Sequence, residues 1–401
     1  MSTTAKAHGM DGSLVEADWP PLELAEVRAL LSQYPGFGEP IEILFVSQRP
    51  FSAASVVSVA GRRVFIKRHH RTVRDREGLF EEHRFMAHLH AHGAAVPVVF
   101  SDASGETAIE KREWTYEVHE AAEGADLYGD ALSWTPFRTV SHAYSAGQAL
   151  ARLHVASEGF AAPRRKPRPL VAGFTIFAAQ NPRVKMERYV AARPALMDFA
   201  RMRACCDEGL ELLAPFHAEL LPLLPALKPL WTHNDLHASN LLWSDDTDNA
   251  QATTIIDFGL ADRTNAVHDL AHAIERNIVE WLELARGSEI RDQGSVNAKN
   301  VPIHFDHLRA LLAGYESVRP LSGEEASALA PMAALCHAEF ALSETDYFLS
   351  VLHREDQAPM ACDGWLVGHA RWFRGAGGKL LDALRGWAAD PERKTHGDLR
   401  R

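Results

Sequence analysis

The sequence predicts an α+β fold in two lobes, a small N-terminal antiparallel sheet lobe with one helix and a larger, mainly helical C-terminal lobe. Three observations lead there. Short β-branched runs crowd residues 41–67, and helical periodicity dominates after Gly124. The chain, at 401 residues, 46% hydrophobic and 24% charged, is too long for one small module and too apolar for disorder.

The elements follow in order. Residues 1–40 hold one amphipathic stretch, 22–34, before the breaker run PGFGEP, and read as an N-terminal helical extension. From Ile41 the runs IEILFV, ASVVSVA and RVFIK make three strands, with the Gly61-Arg62 turn joining the last two. A helix over 76–92 places Leu79, Phe85, Met86 and Leu89 on one face and stops at Gly93. PVVFSD and EWTYEVHEAAEG supply two more strands, completing a five-stranded lobe over 41–123. The helical lobe, 124–388, is expected to carry helices at 140–156, 194–212, 215–224, 269–285, 305–315 and 326–352, interrupted by the β-like runs NLLWS and TTIIDF. Residues 389–401 form a polar tail.

Charge and composition exclude several classes. The chain carries 42 Lys+Arg against 53 Asp+Glu, a net charge of −11, and the sheet lobe holds 11 basic and 12 acidic residues. No segment is a basic reservoir, so nucleic acid is not an expected partner. No apolar window approaches a bilayer span and MSTTAKAHGMDGS lacks the apolar core of a signal peptide, which predicts no membrane partner and a cytoplasmic protein. The 4 cysteines lack CxxC spacing and read as reduced thiols. Histidine is the outlier at 21 copies; His83, His88, His90 and His92 lie on a helical pattern and its exit, without zinc-site spacing, and read as a helix face.

The chemistry concentrates in WTHNDLHASNLLW and TTIIDFGLAD. His233, Asp235 and Asn240 share one turn-rich loop, and Asp257 ends a strand 17 residues after Asn240. An Asp, an Asn and a second Asp around one point form an oxygen-ligand group suited to magnesium and a phosphate chain. HND or DFG alone is an ordinary turn tripeptide, because Asp, Asn and Gly favour turns; their order and spacing together carry the signal.

HNDLHASN with IDFG resembles the catalytic and metal-binding motifs of the protein-kinase-like fold, in the form used by the aminoglycoside phosphotransferase and choline kinase family. The resemblance runs from about Ile41 to Phe373. It implies ATP and Mg2+ as cofactors, with Asp235 as the catalytic carboxylate, His233 as its loop support, and Asn240 and Asp257 as metal ligands. Lys67 in RVFIKRHH resembles the strand lysine that contacts the α- and β-phosphates. Glu82 is the candidate for its ion-pair glutamate, with Glu81 as competitor, and YEVHEAAEG resembles the hinge, whose backbone near His119 and Ala121 would meet adenine. The sequence departs from protein kinases in two places. SQRPFSAAS replaces the glycine-rich loop, leaving Ser52 and Ser55 as phosphate-contacting hydroxyls, and ADRTNAVHDLAHAI runs from DFG straight into a helix with Asp269 in a capping, structural position.

The resemblance therefore implies an ATP-dependent phosphotransferase moving the γ-phosphoryl group to a hydroxyl of a small molecule. Glu275, Glu280, Glu339, Glu344 and Asp346 are candidate acceptor contacts, with Trp281, Tyr347 and Trp365 as walls, an arrangement suited to a cationic amine such as an amino alcohol, amino sugar, homoserine-like compound or aminoglycoside. The basic run PRRKPRP at 163–169 reads as a solvated linker. Two alternatives stand beside this reading, a nucleotide-binding regulator or pseudokinase and a kinase of protein side chains. Retention of Lys67, Asp235, Asn240 and Asp257 weighs against the first, and the missing APE segment against the second. The acceptor's identity and the oligomeric state stay open.

Overall fold

The computed structural model describes residues 6–8, 14–282, 302–391 and 393. Its N-terminal lobe is a five-stranded antiparallel sheet in the order β3-β4-β5-β7-β6, with β3 Pro40–Val46, β4 Ala53–Val59, β5 Arg62–His70, β6 Ile109–Lys111 and β7 Trp114–Glu120. A hairpin, β1 Lys6–His8 and β2 Leu14–Glu16, precedes it. The fourth predicted strand, PVVFSD, is not one: Val99 makes only an isolated bridge to His119, and the edge position falls to β6. Pro97, which lacks an amide proton for a ladder, opens that segment.

Helix α1, Leu24–Leu31, buries Val27, Leu30 and Leu31 in a small core with Val57, Val59, Val64, Ile66, Tyr116 and Val118 of the sheet. The carboxylate of its Glu26 accepts from Tyr116 Oη at 2.6 Å and Arg68 Nη1 at 2.8 Å, fastening the extension to the sheet. Helix α2, Arg76–Ala91, is capped by Asp75, whose Oδ1 accepts from the Gly78 amide at 2.7 Å. Its apolar face does not join the small core. Phe85 lies 5.4 Å from Trp231 and 6.0 Å from Phe258, and Met86 and Leu89 also belong to the large core of the C-terminal lobe.

That lobe contains α3 Val140–Ser157, α4 Pro182–Ala191, α5 Pro194–Asp198, α6 Met202–Leu220, α7 Ala266–Ile278, α8 Phe305–Val318, α9 Gly323–Leu335, α10 His337–Asp346, α11 His369–Arg374 and α12 Gly378–Ala389. α3 crosses α8 with the backbones in contact: a Cβ on Gly147 would meet Leu311 O at 2.1 Å, and one on Gly314 would meet Tyr144 O at 1.9 Å. The predicted break before Pro215 does not occur; α6 runs through it, because Leu210, Leu213, Phe216 and Leu220 keep one buried face on both sides. α4 lies outside the predicted elements, and the long helix expected over 326–352 divides into α9, α10 and a π-helical turn, Tyr347–Val351. The expected helix over 269–285 extends partly outside the described residues, as does most of the polar tail. Among the described residues no helix is long and apolar enough to cross a membrane.

Two strand pairs position the site. β8 Pro229–Thr232 pairs with β11 Asp262–Asn265, and β9 Leu241–Trp243 pairs with β10 Ala252–Ile255, both antiparallel. Thr232 lies opposite Asp262 and Leu241 opposite Ile255, so the connecting loops 233–240 and 256–261 lie side by side, joined by the Ile256 amide to Asn240 O bond at 3.0 Å.

Candidate active site

The loop 233–240 is held from below by a buried carboxylate. Asp269 Oδ2 accepts from the His233 amide at 2.8 Å and Oδ1 from the Asn234 amide at 2.7 Å, while His154 Nε2 donates to Oδ2 at 3.0 Å. Asn234 sits in the left-handed region at φ 61°, a strained conformation that these bonds fix. Burial would raise the Asp269 carboxyl, but His154 and the loop amides hold it below the usual range. Asp269 holds the loop and does not cap the helix: Asn265 caps α7, its side chain accepting from the His268 amide at 2.9 Å.

Around this support the motif side chains interlock. His233 donates from Nε2 to Ile256 O at 3.0 Å and accepts the Asp235 amide at Nδ1, 3.2 Å away. Asn240 Nδ2 donates to Asp235 O at 2.9 Å and contacts Asp235 Oδ2 at 3.4 Å. Asp235 is thus presented to the cleft, where burial raises its carboxyl pKa and Arg276, with Nη1 3.2 Å from Oδ1, opposes the rise.

Asp257, also left-handed at φ 61°, faces it from the second loop and pairs with Lys67 Nζ at 2.8 Å. Burial would raise this carboxyl too; the Lys67 ammonium holds it well below the usual range. The donor set fits a hard divalent cation. Asp257 offers an ionised carboxylate, and Asn240, with its amide nitrogen committed to Asp235, leaves its side-chain oxygen for coordination.

Other expected nucleotide contacts are placed unevenly. Lys67 and Ser52 line the cavity, whereas Ser55 is fully buried and absent from its lining, since alternation along β4 turns it away. Glu82 is buried, but its ion-pair partner is Arg165 at 3.5 Å, and Lys67 bonds Asp257 instead. Glu81 pairs with Arg168 at 3.0 Å. His119 lies within the ladder between Phe65 and the Val99 bridge, with Nε2 2.8 Å from Glu117 Oε2, so its backbone sits inside the sheet. Ala121 lies just past the strand, its amide 3.4 Å from Arg63 O.

Of the five acids proposed for the acceptor, only Glu344 lines the cavity. Glu275 pairs with His369 at 3.2 Å and Glu280 with His304 at 2.8 Å; Glu339 accepts from the Ile176 amide at 2.6 Å; Asp346 pairs with Arg193 at 3.5 Å. The expected walls are also displaced. Trp281 stacks on His369 at 3.7 Å in the core, Tyr347 donates to Asp18 Oδ2 at 3.0 Å, and Trp365 stacks behind Trp134 at 4.8 Å. The walls are Trp134, Phe340 and Leu282, with Arg49 and Arg276 as further cations. Arg49 comes from the loop that replaces the glycine-rich one and bonds Ala131 O at 2.9 Å across the lobes. Its place in SQRPFSAAS was the available signal.

The sequence matches the model of APH, the phosphotransferase enzyme family, over residues 50–337. The chain belongs to the phosphotransferase enzyme family. It is similar to a homoserine kinase of Azorhizobium caulinodans, with 29% identity over 213 residues, 53% of this chain and 54% of the relative. A homoserine kinase of Gluconacetobacter diazotrophicus is 30% identical over 220 residues, 52% of this chain and 54% of the relative. The chain thus aligns with about half the length of these curated relatives. Among solved structures it resembles a microcompartment-associated aminopropanol kinase, with 16% identity and a TM-score of 0.55 over 90% of this chain and 99% of the other. It also resembles amicoumacin kinase hAmiN in complex with AMP-PNP, Ca2+ and Ami, with 14% identity and a TM-score of 0.52 over 88% and 93%. These likenesses place the phosphotransferase family member in a kinase-like fold.

Proposed function

We propose that this phosphotransferase family member moves the γ-phosphoryl group of ATP to a hydroxyl of a small, amine-bearing molecule. The observation that carries the reading is the convergence of Lys67, Asp235, Asn240 and Asp257 on one inter-lobe cavity. Homoserine kinases among the curated relatives and an aminopropanol kinase among the fold neighbours support an acceptor of this size and class.

In this reading Asp235 orients the acceptor hydroxyl and takes its proton. The hydroxyl oxygen bonds to the γ-phosphorus as the bond to the β,γ-bridging oxygen breaks, and ADP leaves with that electron pair. Lys67 and Arg49 bring positive charge to the phosphates. Asp257 and Asn240 would hold Mg2+, which when bound neutralises phosphate charge. Glu344 offers a buried carboxyl to the acceptor's amine. A cytoplasmic location, rich in MgATP, suits four free cysteines.

The test is acceptor-dependent ADP release across amines, sugars, hydroxy amino acids and antibiotics. Asp235→Ala should lower turnover about 10²–10⁴-fold while MgATP affinity stays within about threefold. Undiminished turnover by that variant removes Asp235 from the chemistry, and silence across the panel with ATP still bound favours the regulator reading.

A further inference from the structure

Two ionisable side chains in the cavity are buried with polar atoms left unpartnered among the described residues. Arg276 is 2% exposed, packed with its guanidinium 4.6 Å from the Phe340 ring and 5.2 Å from that of Trp134. Its contact with Asp235 at 3.2 Å occupies Nη1, whereas Nε has no hydrogen-bond partner among the described residues. Glu344 is 1% exposed, and its Oε2 likewise has none. The guanidinium keeps a donor that Asp235 does not use, and a buried carboxyl oxygen needs a donor or a cation. Both residues line the space beside Asp235.

Asp235 holds one edge of the guanidinium, through Nη1 at 3.2 Å, which leaves donors on Arg276 for an acceptor anion.

We propose that Arg276 and Glu344 form a two-charge acceptor subsite, Arg276 for a carboxylate and Glu344 for an ammonium, making the acceptor a small hydroxylated amino acid. This rests on the phosphotransfer reading. The acceptor's carboxylate would bind the guanidinium donors that Asp235 does not use, which sets the hydroxyl beside Asp235. Polycationic amino sugars bring no anion for Arg276 and are disfavoured by it, and Trp134 and Phe340 give the acceptor's carbon chain an apolar wall.

Matched probes test the subsite. L-serine, L-homoserine and 5-hydroxy-L-lysine are compared with ethanolamine, 3-aminopropanol and 1,5-diaminopentan-2-ol, which lack the carboxylate. 3-Hydroxypropanoate and 4-hydroxybutanoate lack the amine, and kanamycin represents amino sugars. The wild-type protein should favour at least one amino acid over its decarboxylated partner by about 10²-fold or more in kcat/KM. Arg276→Met should collapse that ratio to within about threefold while leaving the KM for MgATP in place, and Arg276→Lys should retain part of it. Glu344→Gln should erase the preference over the hydroxy acids. Preference for amino alcohols or kanamycin, or a ratio that survives Arg276→Met, overturns the subsite and leaves the phosphotransfer reading standing. Absence of ADP release from every probe and from the wider panel overturns both.

Discussion

At the residue scale, the site divides into groups proposed to perform the chemistry and groups that hold them. Asp269 belongs to the second: one carboxylate receives two loop amides and an imidazole. Asp269→Asn replaces an acceptor oxygen by an NH2 facing those donors. It should cost about 3–5 kcal/mol in denaturant unfolding, and kcat should fall while the KM for MgATP changes little. Unchanged kcat would separate the loop's geometry from catalysis. Asp257→Ala, by contrast, should weaken nucleotide binding only when Mg2+ is present, as read by titration calorimetry with and without the metal. The motif residues were legible because Asp235, Asn240 and Asp257 meet through loops adjacent in sequence, where spacing alone specifies the geometry. Arg276 and Trp134 were hidden because their places depend on how α7 and the 131–134 segment pack. Glu344 was one of five similar acids, and only its place in the cavity wall with Oε2 unpartnered among the described residues distinguishes it.

At the element scale, the basic run 163–169 proves to be a clamp and not a solvated linker. Arg165 is buried, donates to Gly78 O at 2.8 Å in α2 and to Gly259 O at 3.0 Å beside Asp257, and faces Glu82 at 3.5 Å. Lys166 meets Glu77 at 2.7 Å, and Arg168 meets Asp75 at 2.9 Å and Glu81 at 3.0 Å. The acids of α2 are therefore committed to the C-terminal lobe, which explains why Glu82 does not bond Lys67. Arg165→Met strands a buried carboxylate and should lower unfolding free energy by about 3–5 kcal/mol. Adding Glu82→Gln should recover part of that loss, and strict additivity of the two changes would refute the clamp. The sheet strands and α2 were readable from local alternation and periodicity. The edge strand and the continuity of α6 through Pro215 were not, because pairing partners and a buried face outweigh local signals.

At the scale of the whole molecule, the net charge of −11 is misleading for the site, where Arg49, Lys67, Arg74 and Arg276 face Asp235, Asp257 and Glu344. The surplus of acid lies elsewhere, and the histidines set the response to pH. Burial pushes His268 and His337 down to about 3 and holds His237 and His272 well below the usual imidazole range. These side chains stay neutral in the native protein, while the unfolded chain protonates them near pH 6.5. Below that pH the unfolded state binds more protons, so stability falls as pH falls, by at most about 1.4 kcal/mol per pH unit for each histidine and about 5 for the four. Buried acids act in the opposite sense. Asp18, pushed up to about 6 by burial, takes its proton first in the native state and adds stability on acidification. Asp126, Asp235, Asp262, Glu339, Glu344 and Asp346 are raised in the same way, but His69, His70, His154 and His307 join the four to make eight lowered histidines. These outnumber the seven acids and begin to titrate higher in the unfolded chain, so the melting temperature should decline from pH 7 to pH 5. Beside Asp269 and Arg164, His268 supplies one share of the slope, and His337, near His369 and Glu275, another. A His268→Asn, His337→Gln protein should melt lower at pH 7 yet show a flatter decline, and a slope identical to wild type would assign the acid sensitivity to the carboxylates instead.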